Sequence, residues 1–486
     1  MAKVLFTHSY FYKLDPKQWR MKQPYPPLGT ILAAAVIRDK GFEVSLFDTN
    51  LRDGPEALNS VLKSSPPQYL VLYDDGFNYL SKMCLTNMRN AALAMIGYGK
   101  KAGCTVIVSS SDATDHADQY LGVGADFVIH GEGEVTLAEL LQGLENKTGT
   151  KGLQGIVYHD ETGAKHNPAR PVIRDLDVLP LPAWDLVDIA SYRSIWVRHH
   201  GFFSLNIATT RGCPFKCNWC AKPIYGNRYT SRSPDHVVRE IQWLLNYARP
   251  DHFWMCDDIF GLKPGWVQEF ATQVEAKGLR FRYKIQSRVD LLLQPSTIEA
   301  MVRSGVETVW MGAESGSQKI LDAMDKGTSV DQIYKATKLL RRKGVKVAFF
   351  LQFGYLGETQ EDIDATVRMV LDLMPDEVGI SVSYPLPGTL FHENVKHHLK
   401  EKRNWTDSDD LAMMFQGTFQ GEYYRKLHQY VHSLYRSRRG IHTLKKLITS
   451  PSRFTFKDLK SGVGSFYFTL RSYTLNKKLS KLKLPS

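Results

Sequence analysis

Three of the six cysteines of this 486-residue chain lie within eight residues, at Cys213, Cys217 and Cys220. Three thiolates can hold three irons of a four-iron cluster and leave the fourth iron open for a chelating ligand. The alternative is a structural zinc ion held by the same sulfurs and by the distant Cys256, although structural zinc usually draws its ligands from two close pairs. The spacing predicts a metal centre rather than disulfides, and it favours an iron–sulfur cluster over zinc.

The elements that must position these cysteines are six predicted strands that alternate with amphipathic helices. The cysteines follow the first of these strands, at its carboxyl end, which is where barrels of this kind hold their active residues. The alternation predicts a partial (β/α)6 TIM-type barrel with strands at residues 205–209, 252–256, 282–286, 308–311, 346–353 and 377–382. Beyond residue 400 the pattern is helical.

The first part of the chain also alternates between strand-like and helix-like segments. Its strands are predicted at residues 3–8, 43–48, 69–73, 105–110 and 125–130. This order favours a doubly wound, Rossmann-like parallel sheet, in which ligands sit beyond the carboxyl ends of the strands. Proline-rich residues 149–200 are expected to form a connector without long helices or central strands. The predicted domains are thus 1–148, the linker 149–200, the barrel 201–398 and a helical, basic region 399–486.

The cysteine motif, Cys-x3-Cys-x2-Cys with Trp219 before the third cysteine, resembles the signature of the radical S-adenosylmethionine (SAM) superfamily. Five further segments match the same superfamily in order: residues 255–258, 286–290, 312–316, 351–358 and 384–389. The resemblance implies a 4Fe–4S cluster on Cys213, Cys217 and Cys220 and SAM chelated to its open iron. It also implies that SAM is bound by Trp219, Asp257, Asp258, Arg288 and Glu314.

The N-terminal region resembles the cobalamin-binding domain that precedes the barrel in one radical SAM subfamily. The matching residues are 26–29, 41–44, Asp48 and 131–134, together with 175–183 of the connector. The resemblance implies that cobalamin contacts Leu28, Gly29, Ser109, Ser110, Gly131 and Glu132. The cobalt-ligating string Asp-x-His-x-x-Gly does not occur in the sequence, so cobalamin is expected to bind without a protein histidine on cobalt.

The function implied is cobalamin-dependent methylation or rearrangement of an unactivated carbon in a lipid, isoprenoid, tetrapyrrole or other secondary metabolite. Such an enzyme needs a one-electron donor of the flavodoxin or ferredoxin type. The first alternative is a cobalamin-free radical SAM oxidase or cyclase. Alternatives from other classes are a zinc scaffold and a protein that binds nucleic acid or membranes through its tail.

The tail hypothesis rests on an uneven distribution of charge. The chain carries a net charge of +12, yet residues 421–486 hold 15 of the 62 Lys and Arg and only two of the 50 Asp and Glu. The tail is a solvated helical end or a contact with an anionic partner such as a phospholipid surface. The N-terminal residues are typical of a strand rather than of a signal peptide, and no apolar run approaches the ~18 residues of a spanning helix. We therefore expect a cytoplasmic protein with peripheral membrane contact, and we do not expect nucleic acid as its partner.

Overall fold

The structure, a computed structural model, describes residues 2–83, 85–449 and 456–482, so Cys84 lies outside the described residues. Within them, the N-terminal region folds around a mostly parallel sheet. Its strands are β1 (Lys3–Thr7), β2 (Glu43–Phe47), β3 (Tyr69–Tyr73), β4 (Thr105–Ser109), β5 (Phe127–Ile129), β6 (Ile156–Asp160) and β7 (Gly163–His166). They lie in the order β2-β1-β3-β4-β5-β6-β7, and the first five are parallel. The predicted doubly wound sheet is confirmed.

Helices connect the parallel strands because each crossover must return the chain to the same edge of the sheet. They are α1 (Pro16–Met21), α2 (Leu28–Asp39), α3 (Leu58–Ser64), α4 (Tyr79–Met83), α5 (Thr86–Lys101), α6 (Ser111–Asp115), α7 (Ala117–Gly122) and α8 (Glu134–Glu145). Helix α2 is buried along nearly its whole length, as its run of alanine, leucine and isoleucine requires.

The segment 149–200 differs from the expected connector. Strands β6 and β7 form an antiparallel hairpin that extends the N-terminal sheet beyond β5, and helix α9 (Ile189–His200) follows. The prolines lie outside both elements, which explains how regular structure forms in a proline-rich stretch. Trp184 and Trp196 are both buried, and the Nε1 of Trp196 donates to the Pro24 carbonyl at 2.7 Å. This segment is therefore packed into the core, and the domain boundaries stay a prediction.

The second sheet is the expected curled half-barrel. Its strands are β8 (Ser204–Ile207), β11 (His252–Met255), β12 (Arg282–Ser287), β13 (Val306–Glu314), β14 (Lys346–Phe353) and β15 (Glu377–Val382). All pairs are parallel, in the order β15-β14-β13-β12-β11-β8. The short strands β9 (Thr210–Arg211) and β10 (Thr230–Ser231) pair beside the carboxyl end of β8. The outer helices are α10 (Pro234–Tyr247), α11 (Trp266–Ala276), α12 (Pro295–Arg303), α13 (Gln318–Ala323), α14 (Val330–Arg342), α15 (Gln360–Leu373) and α16 (Leu390–Val395).

Two long helices, α17 (Gly421–Thr449) and α18 (Phe456–Leu482), end the described chain and pack against each other. Gly440 lets them approach closely, because a Cβ there would lie 2.5 Å from the Ser461 carbonyl oxygen. The Tyr435 hydroxyl fixes α17 to the barrel by donating to the Pro375 carbonyl at 2.5 Å. No helix among the described residues is long and apolar enough to cross a membrane.

Candidate active site

The loop that carries the cysteines leaves the barrel at the end of β8 and is held by Asp257. One carboxylate oxygen of Asp257 accepts the backbone N–H groups of Thr209 and Thr210 at 2.6 and 2.8 Å, and the other accepts the Thr209 hydroxyl. Gly212 then turns the chain with φ +74°, and a Cβ there would lie 2.5 Å from the Arg228 carbonyl oxygen. Only glycine fits this turn, so the loop's path is fixed before the first cysteine.

Cys213, Cys217 and Cys220 all line one cavity of about 600 Å³ at the carboxyl ends of the barrel strands. Burial raises the pKa of Cys213, and it raises the pKa of Cys220 to about 12; Lys222 lowers both values, while Asp258 and the neighbouring thiols add to the rise. Bare thiolates are therefore disfavoured here, and a bound metal supplies the positive charge that offsets this cost. The donor set fits a 4Fe–4S cluster.

Cys256, the fourth ligand of the zinc alternative, does not line this cavity. It is buried, and its thiol donates to the Ile207 carbonyl at 3.2 Å. In the part of the chain that the structure describes, no three of His, Cys, Asp and Glu side chains converge tightly enough to hold one metal ion. A cluster, by contrast, distributes its thiolates over separate irons.

Trp219 and Glu314 face the same cavity as the cysteines. The Nε1 of Trp219 is buried and has no hydrogen-bond partner among the described residues. Glu314 ends β13 with φ +55°, at a shift in the pairing register with β14, which turns its carboxylate inward. The Lys326 ammonium lies 2.7 Å from Glu314 Oε1 and 6.0 Å from the centre of the Trp219 ring.

Asp258 and Arg288 complete the predicted SAM contacts that line the cavity. Asp258 Oδ1 accepts from Lys82 of helix α4 at 2.5 Å, so this pair joins the N-terminal region to the barrel. The Arg288 guanidinium stacks 3.6 Å from the centre of the Phe215 ring. Its Nε donates to Asp290 and its Nη2 to the Lys326 carbonyl, at 3.0 and 2.9 Å.

Asp257, also expected to contact SAM, is placed elsewhere. It is 1% exposed, lies beneath the cysteine loop and is not a wall of the large cavity. Burial raises the pKa of its carboxyl to about 6, while the hydrogen bonds from Thr209 and Thr210 lower it. Its oxygens are already occupied by the loop, so the structure gives Asp257 a positioning role.

The six residues expected to contact cobalamin also lie outside the large cavity. The amides of Leu28 and Gly29 donate to Asp75, and the Ser110 hydroxyl caps helix α6. Four of the six line a small cavity of about 10 Å³ at the carboxyl end of the N-terminal sheet: Gly29, Ser109, Ser110 and Gly131. Ile224 and Tyr225 of the cysteine loop close this cavity. It has room for about one water molecule, so these residues as placed do not fit a corrinoid.

Glu132, the sixth of them, belongs to a buried ion cluster that sequence analysis missed. Arg211, two residues before Cys213, forms ion pairs with both Glu132 and Glu134, and all three side chains are at most 5% exposed. The second oxygen of Glu132 accepts the Ile173 N–H at 2.5 Å. The cluster ties the base of the cysteine loop to the N-terminal sheet.

Sequence analysis also missed Lys82 and Lys326. Each pairs with a predicted site residue, but neither stands in a motif of its own. The partners of Lys82 and Arg211 lie 176 and about 80 residues away, so no local spacing points to them. Lys326 is 12 residues from Glu314, after a turn and a short helix, and no sequence signal marks it.

Residues 207–370 match the model of the Radical SAM superfamily. The chain is 29% identical to the "uncharacterized methyltransferase PH0819" of Pyrococcus horikoshii, over 58% of this chain and 60% of that relative. It is 27% identical to the anaerobic magnesium-protoporphyrin IX monomethyl ester cyclase of Synechocystis sp., over 74% of this chain and 70% of the relative. The chain thus spans less than two thirds of the length of PH0819.

Among solved structures, the radical SAM methyltransferase TsrM from Kitasatospora setae, with cobalamin and a [4Fe–4S] cluster bound, has a similar fold. The TM-score is 0.68 at 20% identity, over 82% of this chain and 78% of TsrM. At this identity the likeness concerns the fold alone. The family match identifies residues 207–370, which carry the cysteine loop, as a radical SAM domain. Such a domain works with a 4Fe–4S cluster and SAM.

Proposed function

We propose that this enzyme functionalises an unactivated carbon of a small-molecule or lipid substrate by cobalamin-dependent methylation or rearrangement. The observation that carries the proposal is the common cavity, whose walls hold the three cysteines together with Trp219, Asp258, Arg288 and Glu314. When bound at this cavity, the cluster and SAM would supply radical chemistry for an unactivated C–H bond, and cobalamin would supply a carrier for a methyl group.

The walls of the cavity carry groups that suit the two ends of SAM. Asp258 Oδ2 and Glu314 Oε2 have no hydrogen bond among the described residues, since the two lysines use the other oxygens. They can accept from the SAM ammonium or ribose hydroxyls. The contacts of Arg288 use Nε and Nη2, which leaves Nη1 to donate to the SAM carboxylate. The Phe215 ring, whose centre lies 3.6 Å from the guanidinium carbon, makes a cation–π contact with Arg288.

Cobalamin is supported by the proteins that this chain resembles, including the cobalamin-bound TsrM. The large cavity is the place we propose for it, because side chains from the N-terminal sheet's carboxyl edge meet the cysteine loop there. Polar members of that edge are Asn50, Asn78, Ser111, Asp112 and His116. The second candidate, a cobalamin-free oxidase or cyclase, is favoured by the tight closure of the small cavity by Ile224 and Tyr225.

The first experiment is anaerobic reconstitution with iron, sulfide and hydroxocobalamin, followed by desalting and an absorption spectrum. We expect cluster absorption and retained corrinoid bands, and 5′-deoxyadenosine when SAM and a reductant are added. Changing Cys213, Cys217 or Cys220 to alanine should remove the cluster absorption, whereas Cys104→Ala, in the N-terminal core, should keep it. Cluster without corrinoid would leave the cobalamin-free candidate. A colourless wild type would overturn both.

We also propose that helix α18 rests on an anionic lipid surface. Six of its large apolar residues are between 43% and 73% exposed and recur at helical spacing along one side: Leu459, Val463, Phe466, Tyr467, Leu470 and Tyr473. Basic residues accompany them on the same helix: Lys460, Arg471, Lys477, Lys478 and Lys481. Aromatic and aliphatic side chains bordered by lysine are typical of helices that lie in a membrane interface.

Vesicle flotation tests this contact. The protein should float with vesicles containing phosphatidylserine and less with pure phosphatidylcholine, and the double change Phe466→Ser/Leu470→Ser should abolish flotation. Val178→Ser is the matched control, because Val178 is 69% exposed outside this helix. Unchanged flotation of the double variant would contradict the proposal. Salt-sensitive binding to RNA without flotation would favour nucleic acid instead.

A further inference from the structure

A second cavity, of about 900 Å³, lies at the opposite end of the barrel from the cysteines. Its walls include the first residues of three strands, His252, Lys346 and Glu377, so it opens at the amino ends of the barrel strands. Helices α17 and α18 cover it with His428, His432, Arg436, Phe468 and Arg471. We call it the lower cavity, and the one at the cysteines the upper cavity.

The two cavities meet inside the barrel. Ten residues line both of them: Lys17, Gln23, Gly379, Ile380 and a set of six that we call the waist, Tyr25, Trp254, Lys284, Gln286, Trp310 and Phe350. Trp310 and Phe350 stack with ring centres 4.6 Å apart. Gly379 lies beside them, and a Cβ there would come within 3.2 Å of the Trp310 ring. The waist is therefore an aromatic constriction between the lower cavity and the cysteines.

The lower cavity carries more positive than negative charge. Six basic residues line it: Lys17, Arg20, Lys284, Lys346, Arg436 and Arg471. Its three acidic residues are Glu307, Glu377 and Asp409. Arg20 pairs with Asp409 and Lys346 with Glu307, at 2.9 and 2.7 Å. Lys284 has no carboxylate within ion-pair distance among the described residues.

Lys284 stands at the waist with its ammonium 5.3 Å from the centre of the Tyr25 ring and 5.2 Å from that of Trp254. The pKa of the neighbouring His252 is lowered to about 3, mainly by burial. Among the nearby cations that lower it further, Lys284 has the largest effect. At the covering helices, burial is the main cause that lowers the pKa of His428 and of His432. Lys17 and Arg436 lower both further, while Asp409 raises that of His428. Lys284 is thus a half-buried cation with no anion beside it, among the described residues, to balance its charge.

We propose that the barrel takes an anionic substrate with a large apolar body, entering through the lower cavity, whose acidic group binds Lys284. Its apolar part packs on Trp254, Trp310 and Phe350, which directs it through the waist towards the cysteines. Phosphate and carboxylate are the acidic groups that an ammonium at this position recognises. This inference rests on the proposed function, because it names the substrate class of the same barrel.

The test is isothermal titration of the cluster-reconstituted full chain with decyl phosphate below its micelle concentration. Decyl phosphate should bind, and decyltrimethylammonium and inorganic phosphate should bind at least about tenfold more weakly, because they lack the acidic group or the apolar body. Lys284→Met and Lys284→Gln should each weaken decyl phosphate binding by about tenfold or more, and Lys284→Arg should retain most of it. Lys343→Met is the matched control, because Lys343 pairs with Glu299 away from both cavities, and it should change affinity by less than about threefold.

Equal binding of the cationic probe would overturn the proposal, as would unchanged affinity of folded Lys284→Met and Lys284→Gln proteins. If inorganic phosphate bound as tightly as decyl phosphate, the proposed contact between an apolar body and the aromatic side chains would be wrong. Cleavage of SAM, measured separately as 5′-deoxyadenosine, keeps the two proposals distinguishable. A protein that cleaves SAM but does not bind decyl phosphate contradicts only the substrate class. A protein that binds the probe but holds no cluster contradicts only the enzyme activity.

Discussion

The Lys326 ammonium lies 2.7 Å from Glu314 Oε1, and both side chains are less than 10% exposed in the wall of the cavity that the cysteines line. The pair leaves one oxygen of Glu314 facing the cavity and fixes the other. Lys326 thus positions a carboxylate that we propose as a SAM contact, at the point where strand β13 ends in a left-handed residue.

Lys326→Met should weaken SAM binding to the reconstituted protein by about tenfold, because Glu314 loses the charge-assisted hydrogen bond that holds it. Equilibrium dialysis with SAM measures the effect. Lys319→Met is the control, since Lys319 is 58% exposed and pairs with Asp362 away from the cavity. Equal SAM affinity of Lys326→Met and wild type would show that Glu314 does not depend on this lysine.

Arg211→Met should destabilise the fold by about 3–5 kcal/mol, because it leaves Glu132 and Glu134 buried without their cation. Urea unfolding measures the loss. Arg303→Met, which removes a pair with Glu275 in which both side chains are nearly half exposed, should cost less than about 1 kcal/mol. The triple change Arg211→Met/Glu132→Gln/Glu134→Gln should recover part of the stability. A loss of similar size in the two single variants would contradict this account.

Glu358 makes the stability of the fold depend on pH. Burial raises the pKa of its carboxyl to about 8, against a lowering effect of the Gly354 N–H. Between the unfolded pKa near 4.5 and this value, the folded state holds more protons than the unfolded state. The free energy of unfolding therefore falls as pH rises through that window, by at most about 1.4 kcal/mol per pH unit from this group.

Glu358→Gln removes this titration. The free energy of unfolding of the variant minus that of wild type should increase between pH 6 and about 8 and stay constant above that. Urea unfolding at successive pH values measures this difference. A constant difference between the two proteins across this range would mean that the carboxyl is ionised throughout.

Gly133→Ala tests the close packing at the small cavity. A Cβ at Gly133 would lie 2.7 Å from the Tyr73 ring and 2.8 Å from the Ser109 hydroxyl, so we expect a loss of about 1–3 kcal/mol. Gly97→Ala, inside helix α5 with nothing within 4 Å, should instead stabilise the protein by about 0.5–1 kcal/mol. Thermal unfolding of the two variants separates these signs. If both changes stabilised the protein, Tyr73 and Ser109 would have to shift at little cost to make room for the new methyl group.

The sequence predicted all the parallel strands of both sheets, because buried parallel strands are apolar runs bounded by turns. It missed the β6–β7 hairpin and α9, since the prolines around them dominated the interpretation of residues 149–200. In the hairpin, all of β7 and the last two residues of β6 are exposed at the sheet edge, so it carries little hydrophobic signal. The half-barrel and the cysteine loop were predictable because the motif sits directly after a strand.

The side chains around the cysteines were predicted less well, for a physical reason. A carboxylate at a strand end can face the cavity, as Glu314 does, or turn beneath the loop, as Asp257 does. Sequence spacing places both at the same edge and does not distinguish them. The buried cations Arg211, Lys82 and Lys326 depend on partners brought close only by the complete fold. The same holds for Ile224 and Tyr225, which close the small cavity lined by four of the residues expected to contact cobalamin.

The ion cluster of Arg211, Glu132 and Glu134 limits how this protein can be divided or recombined. A barrel expressed alone would carry the Arg211 guanidinium with neither of its carboxylates, two residues before the first cysteine. Grafting the barrel onto a foreign N-terminal sheet succeeds only if that sheet supplies two acids at the same turn after its fifth strand. A chimera must therefore keep the turn and the arginine together.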